Sequence, residues 1–329
     1  MIGVSTVLLI ISIAISFIST IILVKTWIRA ARRFGLVGKD MNKLAKPDVA
    51  EGGGIAVLFG LLAGLFFYIF TVTFVFHSQR HLIDILALVS ALLLAGFLGF
   101  IDDILGWKQG LKQWQKPLLM LPAAIPLMVT NLGHATMAVP FIGKINFGII
   151  YPLILIPIAI IGASNGFNML AGMNGLEAGL GAIILSAMAY IAYLNGYSWV
   201  ALIATLAVAG LLAFLLFNKY PAKVFPGDSM TYSIGALIAA LAILGDMEKI
   251  AVILFIPYFA EFLLKARFWF KIDSFGQPQP DGTLSMPNKV GSLTHIFAKV
   301  FRTEKRTVRA LLFAEVVLAG IAILMAYGI

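Results

Sequence analysis

Long apolar runs alternate with short polar joints along almost the whole chain, the pattern of repeated membrane crossings. A crossing helix needs about 20 mostly apolar residues. Segments of this kind fall at 3–28, 53–76, 82–101, 117–132, 147–164, 175–194, 197–217, 229–245, 249–270 and 307–328, with 117–132 the weakest. The first is too long for a signal-peptide core and has no basic stretch ahead of it, so it reads as a retained span. The expectation is an all-α polytopic membrane protein of about ten transmembrane helices, forming one domain over 1–329.

Charge gives this map an orientation. An even number of crossings sorts the joints into two sets. One set (25–51, 102–116, 165–177, 218–228 and 265–309) holds 21 of the 24 Lys and Arg residues. The other set holds only Arg80, Lys144 and Lys249. By the positive-inside rule the first set is cytoplasmic and both termini lie outside. The cytoplasmic loops proper are taken as about 29–52, 102–116, 165–177, 218–228 and 271–306. The net charge of +9 is then a property of these loops and calls for no nucleic-acid partner. Composition agrees: 61% of residues are hydrophobic and 12% charged, half the charge of an average soluble fold. There is no cysteine, which excludes disulfides and thiolate metal sites.

The polar chemistry collects on the same side. The apolar run 149–163 ends in Ser-Asn-Gly-Phe-Asn-Met-Leu-Ala-Gly-Met-Asn-Gly-Leu-Glu-Ala-Gly (164–179), which crowds Asn165, Asn168, Asn174 and Glu177 among glycines at a membrane edge. Polar groups there are costly unless partnered, so they mark a site. Asp102 and Asp103 close the run 92–101 and suit a metal or a general-base pair; a solvated helix end would leave the same trace. Asp228 follows Pro226 and Gly227 just before a span, where it could be a plain helix N-cap or part of a phosphate site. Lys116 stands at the mouth of another span, and Lys39, Lys43 and Lys46 surround Asp40. The loop 265–309 holds Arg267, Lys271, a Pro- and Gly-rich stretch (276–282), His295 and the basic run 302–309, which suits anionic headgroups. Together, carboxylates and an amide suit a hard cation such as Mg²⁺, basic residues suit phosphates, and the membrane edge suits a lipid co-substrate.

Four segments then resemble the polyprenyl-phosphate N-acetylhexosamine-1-phosphate transferases: Gly-Lys-Asp-Met-Asn-Lys (38–43), Gly-Phe-Ile-Asp-Asp (99–103), Asn-Gly-Phe-Asn-Met-Leu-Ala-Gly-Met-Asn-Gly-Leu-Glu-Ala-Gly (165–179) and Phe-Asn-Lys-Tyr-Pro-Ala-Lys-Val-Phe-Pro-Gly-Asp-Ser (217–229). The third is similar to the UDP-GlcNAc:dolichyl-phosphate GlcNAc-1-phosphate transferases, since Ala171-Gly172 stands where bacterial relatives usually have Asp-Gly. The resemblance implies a ten-span enzyme with its active site on the cytoplasmic face. It would transfer GlcNAc-1-phosphate from UDP-GlcNAc to dolichyl or another polyprenyl phosphate and release UMP, the first step of N-glycan lipid assembly. It implies Mg²⁺, with Mn²⁺ as a substitute, on Asn168 and Asp228. Asp102, Asp103 and Lys116 take the catalytic positions, with Lys116 and Asn165 on the lipid phosphate. Lys39, Asp40, Met41, Glu51, Asn174 and Phe225 take the nucleotide-sugar positions. Where the eukaryotic enzymes carry an Arg-His-Arg triplet, this chain has Arg-Phe-Trp-Phe-Lys (267–271), so Arg267 and Lys271 are left to supply that charge. The expected partners are UDP-GlcNAc, the lipid phosphate and membrane lipid, with a homodimer as the candidate assembly. The membrane would be the plasma membrane of an archaeon or the endoplasmic reticulum of a eukaryote. The rival classes are another UDP-sugar or undecaprenyl phosphate with the same chemistry, and a transporter using Glu261 and Glu315.

Overall fold

The structure, a computed structural model, describes residues 2–105, 114–130, 133, 135–139, 143–287 and 289–327. Residues 106–113 of the expected loop 102–116 lie outside this description, as do 131–132 at the end of the span read as 117–132. In chain order the helices are α1 (Ile2–Phe34), α2 (Gly54–Phe74), α3 (Leu82–Leu105), α4 (Gln115–Leu119), α5 (Leu121–Val129), α6 (Ile156–Met169), α7 (Leu176–Leu194), α8 (Ser198–Asn218), α9 (Gly227–Leu244), α10 (Glu248–Leu254), α11 (Ile256–Ala266), α12 (Leu293–Phe301) and α13 (Glu304–Ala326). A π turn, Tyr151–Leu155, leads into α6. Among the described residues eight helices are long and apolar enough to cross a membrane: α1, α2, α3, α6 with its π turn, α7, α8, α9 and α13. The chain is an all-α polytopic membrane protein.

The two remaining expected spans differ from the reading as continuous helices. The described part of the segment 117–132 is the pair α4 and α5, which meet at Met120, and the segment 249–270 holds the pair α10 and α11, which meet at Phe255. Proline explains both breaks. Pro122 and Pro257 follow the joints, and a proline has no amide to bond the preceding turn. Several helices also run further than the hydrophobic pattern suggested. Asp102 and Asp103, read as loop residues, lie on α3, and Asn165 and Asn168 lie on α6.

Helix α9 is the axis of the molecule. Every residue from 229 to 244 is buried, so it is enclosed on all sides, and α3 and α6 are among its principal neighbours. Glycines permit this closeness. A Cβ on Gly99 of α3 would stand 2.4 Å from the Asp228 carbonyl oxygen, and a Cβ on Gly235 of α9 would stand 2.5 Å from that of Ala163 on α6. Small residues at these contacts let backbones pack almost directly on one another, as helices in lipid require. The first turn of α9 is thereby pressed between the ends of α3 and α6 that carry the acidic and amide residues.

Among the described residues three antiparallel hairpins complete the fold: β1 (Val37–Lys39) with β2 (Asp48–Ala50), β3 (Thr136–Val139) with β4 (Gly143–Asn146), and β5 (Gln277–Pro278) with β6 (Leu284–Ser285). The first is stitched to the loop before α9. The Phe225 amide bonds the Ala50 carbonyl at 2.8 Å, and the Gly53 and Gly54 amides bond the carbonyls of Phe225 and Pro226 at 2.9 and 2.8 Å. The Trp27 indole on α1 adds a bond to the Glu51 carbonyl at 2.7 Å. Glu51 and Phe225 are therefore fixed side by side.

Candidate active site

A cavity of about 280 Å³ opens where these loops meet the ends of α6 and α9. Its wall includes Lys39, Asp40, Met41, Glu51, Asn168, Asn174, Phe225 and Asp228, eight of the residues singled out from the sequence. Sequence reasoning did not single out Thr231 and Phe275, which also line it. Thr231 joins the two proposed metal ligands: its hydroxyl donates to Asn168 Oδ1 at 3.0 Å from one turn beyond Asp228.

The two adjacent aspartates act separately. Successive residues on a helix diverge by about 100°, so the two carboxylates point in different directions. Asp102 turns to Lys116, whose Nζ stands 2.6 Å from its Oδ2 and 2.8 Å from Asp228 Oδ2. Asp103 turns to the start of α9 and accepts from the backbone amides of Asp228 at 2.6 Å and Ser229 at 3.1 Å. Asp228 is therefore not the cap of its helix. Pro226 holds that position, and the free amides are satisfied by a carboxylate reaching across from α3. Gly227 makes room for it. Its φ is +68°, and a Cβ there would lie 2.4 Å from Asp103 Oδ2.

A second set of polar bonds holds the cavity's rim. Glu304, the first residue of α13, is 4% exposed and pairs with Lys43. Its other oxygen accepts from the Asn174 amide at 2.8 Å. Asn174 Nδ2 donates to Asp40 at 3.0 Å, and Lys43 lies 3.2 Å from the same Asp40 oxygen. Asn42 donates to the Gly172 carbonyl at 2.8 Å and accepts from the Gly276 amide at 3.1 Å. Glu177 accepts from the Gly172 amide at 2.9 Å. Four segments distant in sequence (38–46, 170–177, 274–276 and the start of α13) are thus bound into one collar. Glu304 was invisible in the sequence, where Thr303-Glu304 reads as an ordinary helix start. Glu304→Ala should increase amide hydrogen exchange in 38–46 and 170–177 by about fivefold to a hundredfold, about 1–3 kcal/mol of local opening, and leave α3 and α9 unchanged.

Six predicted residues are absent from the cavity lining: Asp102, Asp103 and Lys116 adjoin it through Asp228, and Asn165, Arg267 and Lys271 stand apart. Asn165 spends its amide on the Ile161 carbonyl one turn back at 2.9 Å. Arg267 and Lys271 are exposed. The basic residue of this stretch that turns inward is Lys265, bonded to the Met169 carbonyl at the end of α6 at 2.6 Å and paired with the fully buried Glu261 at 3.3 Å. Glu261 also accepts from Ser292 Oγ at 3.1 Å and the Leu293 amide at 2.7 Å, so it anchors the start of α12. Its spacing of four from Lys265 within an apolar span was a readable signal. His295 is buried on α12 and accepts from the Gly291 amide, a packing role.

Charge in the cavity is lopsided. Among the described residues the lining carries the carboxyl groups of Asp40, Glu51, Glu177 and Asp228 and the ammonium of Lys39, which is paired with Asp48 at 2.6 Å, while Lys43 and Lys116, just outside the lining, pair with Asp40 and Asp228 at 3.2 and 2.8 Å. Burial, and secondarily the charge of Asp228, pushes the Glu51 carboxyl up from 4.5 to about 7. With Asp40 and Asp228 paired to lysines, Glu51 and Glu177 are the acids of the lining that form no ion pair among the described residues, and a cation arriving with the diphosphate would offset their charge. Among the described residues no three His, Cys, Asp or Glu side chains form a metal cage. Asn168 and Asp228 nevertheless offer amide and carboxylate oxygens to one space. That set fits an ion such as Mg²⁺, which keeps few protein ligands and completes its shell with water and substrate phosphate.

Residues 85–246 match the description of glycosyl transferase family 4. A protein of Saccharolobus solfataricus, provisionally named a UDP-N-acetylglucosamine–dolichyl-phosphate N-acetylglucosaminephosphotransferase, is 44% identical over 96% of this chain and 95% of its own length. A Sulfolobus acidocaldarius protein with the same provisional name is 38% identical over 89% of this chain and 88% of its own. A phospho-N-acetylmuramoyl-pentapeptide-transferase of Halalkalibacterium halodurans is 33% identical over 75% of this chain and 78% of its own.

Proposed function

The chain belongs to glycosyl transferase family 4, and from that membership we propose that it transfers GlcNAc-1-phosphate from UDP-GlcNAc to a polyprenyl phosphate of the dolichyl type. A lipid phosphate oxygen attacks the β-phosphorus, the bond from that phosphorus to the bridging oxygen breaks, and UMP leaves with the electron pair. The observation that carries the reading is the convergence of Asn168, Asp228 and Lys116, one amide, one carboxylate and one ammonium from three helices, beside a cavity rimmed by Asp40, Asn174 and Phe225. By the basic asymmetry of the loops, this end of the molecule faces the cytoplasm. The sugar assignment follows the more similar relatives, which cover nearly the whole chain.

Positioning and charge neutralisation dominate phosphoryl transfer. Asn168 and Asp228 would hold Mg²⁺, which when bound neutralises the diphosphate and stabilises the departing UMP. Phe225 would stack on the base, and Asn174, held by Asp40 and Glu304, would present its remaining polar atoms to it. Lys116 would guide the incoming lipid phosphate. A lipid phosphate is largely ionised at neutral pH and needs no base. Both oxygens of Asp103 are occupied by backbone amides, and Asp102 is bound to Lys116, so these acids support the site rather than abstract a proton.

A panel of UDP-sugars tests this reading. Purified protein with dolichyl phosphate and Mg²⁺ should move label from UDP-[³H]GlcNAc into the lipid phase with stoichiometric UMP, and from UDP-GalNAc or UDP-MurNAc-pentapeptide at least tenfold more slowly. Preference for either of the latter would overturn the sugar assignment, and no UMP from any donor would overturn the reaction.

Glu51 supplies a separate check. Its folded pKa of about 7 exceeds its ordinary 4.5, so the folded state binds the proton more tightly. The stability this gives is complete below about pH 4.5 and is lost as pH rises through about 7, up to about 3 kcal/mol in all. In metal-free, substrate-free protein, melting temperature should fall between pH 5 and 8, and fall less in Glu51→Gln.

A further inference from the structure

The outer side of α13 carries a groove that the catalytic cavity does not use. Phe297 and Phe301 of α12 form one wall, Phe313 and Val317 of α13 the other, and Arg306 and Arg309 stand at one end, around an open volume of about 760 Å³. The buried side of α13 holds Glu304, Val308, Leu311, Glu315 and Ala319. At about 100° per residue, Arg306, Arg309, Phe313 and Val317 fall on the opposite side. Phe313 is 70% exposed and Val317 47% on a helix long and apolar enough to span the membrane, so this side meets lipid. Helix α12 suits the boundary itself: Thr294, His295 and Ala298 face the protein, while Ile296 and Val300 are exposed.

We propose that this groove binds an anionic membrane phospholipid, with its phosphodiester on Arg306 and Arg309 and one hydrocarbon chain along Phe297, Phe313 and Val317. Charge complementarity carries the choice of occupant. Among the described residues neither guanidinium is ion-paired, although both lie within the first two turns of a span, at headgroup depth. Guanidinium groups bind phosphate through paired hydrogen bonds, and a zwitterionic headgroup would bring its ammonium against two like charges. The occupant is not the lipid substrate. Glu304 reaches the cavity's collar from the other side of α13, so a phosphate on the two arginines is separated from Lys116 and Asp228 by the helix.

Native mass spectrometry of the detergent-purified protein tests it, with phosphatidylglycerol, phosphatidylcholine and polyprenyl phosphate added in equal amounts. Wild-type protein should retain phosphatidylglycerol preferentially. Arg306→Ala/Arg309→Ala should reduce that retention by about tenfold or more, from about fivefold per surface basic residue. Val317→Trp, which fills the groove and leaves the charges, should reduce it as well. Lys25→Ala/Arg29→Ala, the same loss of charge on α1, should not. Equal retention by wild type and both groove variants would overturn the site. So would preferential retention of polyprenyl phosphate, or a wild-type dimer that the groove variants convert to monomer, since the groove would then hold the substrate or a second copy.

Discussion

Asp228→Ala should lose turnover by about a thousandfold or more while the protein keeps its fold, since one preorganised electrostatic group is worth about a hundred- to a thousandfold and this one would also hold the cation. The fold should survive because Asp228 supports little besides the chemistry. Lys116 retains Asp102 at 2.6 Å, so no buried ammonium is stranded. The first turn of α9 keeps its cap, since the amides of residues 228 and 229 bond Asp103 through backbone groups that alanine preserves. The check is UMP release under saturating donor alongside size-exclusion behaviour and melting temperature. Near-normal turnover in a folded Asp228→Ala protein would remove Asp228 from the site.

Lys116→Met should instead lose stability and turnover together. The ammonium lies between two carboxylates, Asp102 Oδ2 at 2.6 Å and Asp228 Oδ2 at 2.8 Å, and its own side chain is 17% exposed. Removing it leaves two like charges facing each other with little water, and breaking a buried pair in this way costs about 3–5 kcal/mol. A second substitution separates the two effects. Asp102→Asn in the Lys116→Met background removes one stranded charge and should restore most of the melting temperature without restoring turnover. If turnover returned with stability, Lys116 would be a structural cation only.

The sequence was most legible where one physical demand acts alone. The bilayer imposes length and apolarity, so the helices that cross uninterrupted were readable from hydrophobic runs. The cost of polar groups at a membrane edge singled out Asn168, Asp102, Asp103 and Asp228, which the structure gathers around one helix end. What was not readable depends on geometry that spacing hides. Asp102-Asp103 reads as a pair, but a helix turns neighbours apart, and one holds Lys116 while the other caps α9. Charged ends of apolar runs read as loops, although α3 and α6 carry their polar residues in helical turns. Prolines at 122 and 257 divided two spans that hydropathy alone read as continuous. Glu304 lies 130 residues from the Asn174 amide it accepts from, and no local signal announces a contact of that range. In the stretch after α11, exposed Arg267 and Lys271 looked like the useful charges, while Lys265 made the inward contacts.

Calorimetric titration of UDP tests the central claim most directly, that Asn168 and Asp228 hold a divalent cation together with a nucleotide diphosphate. With Mg²⁺ present, detergent-purified wild-type protein should bind UDP. A chelator, or Asn168→Ala/Asp228→Ala, should weaken that binding at least tenfold while melting temperature stays within a few degrees. UDP bound equally well in chelator, or by the folded double variant, would contradict the site.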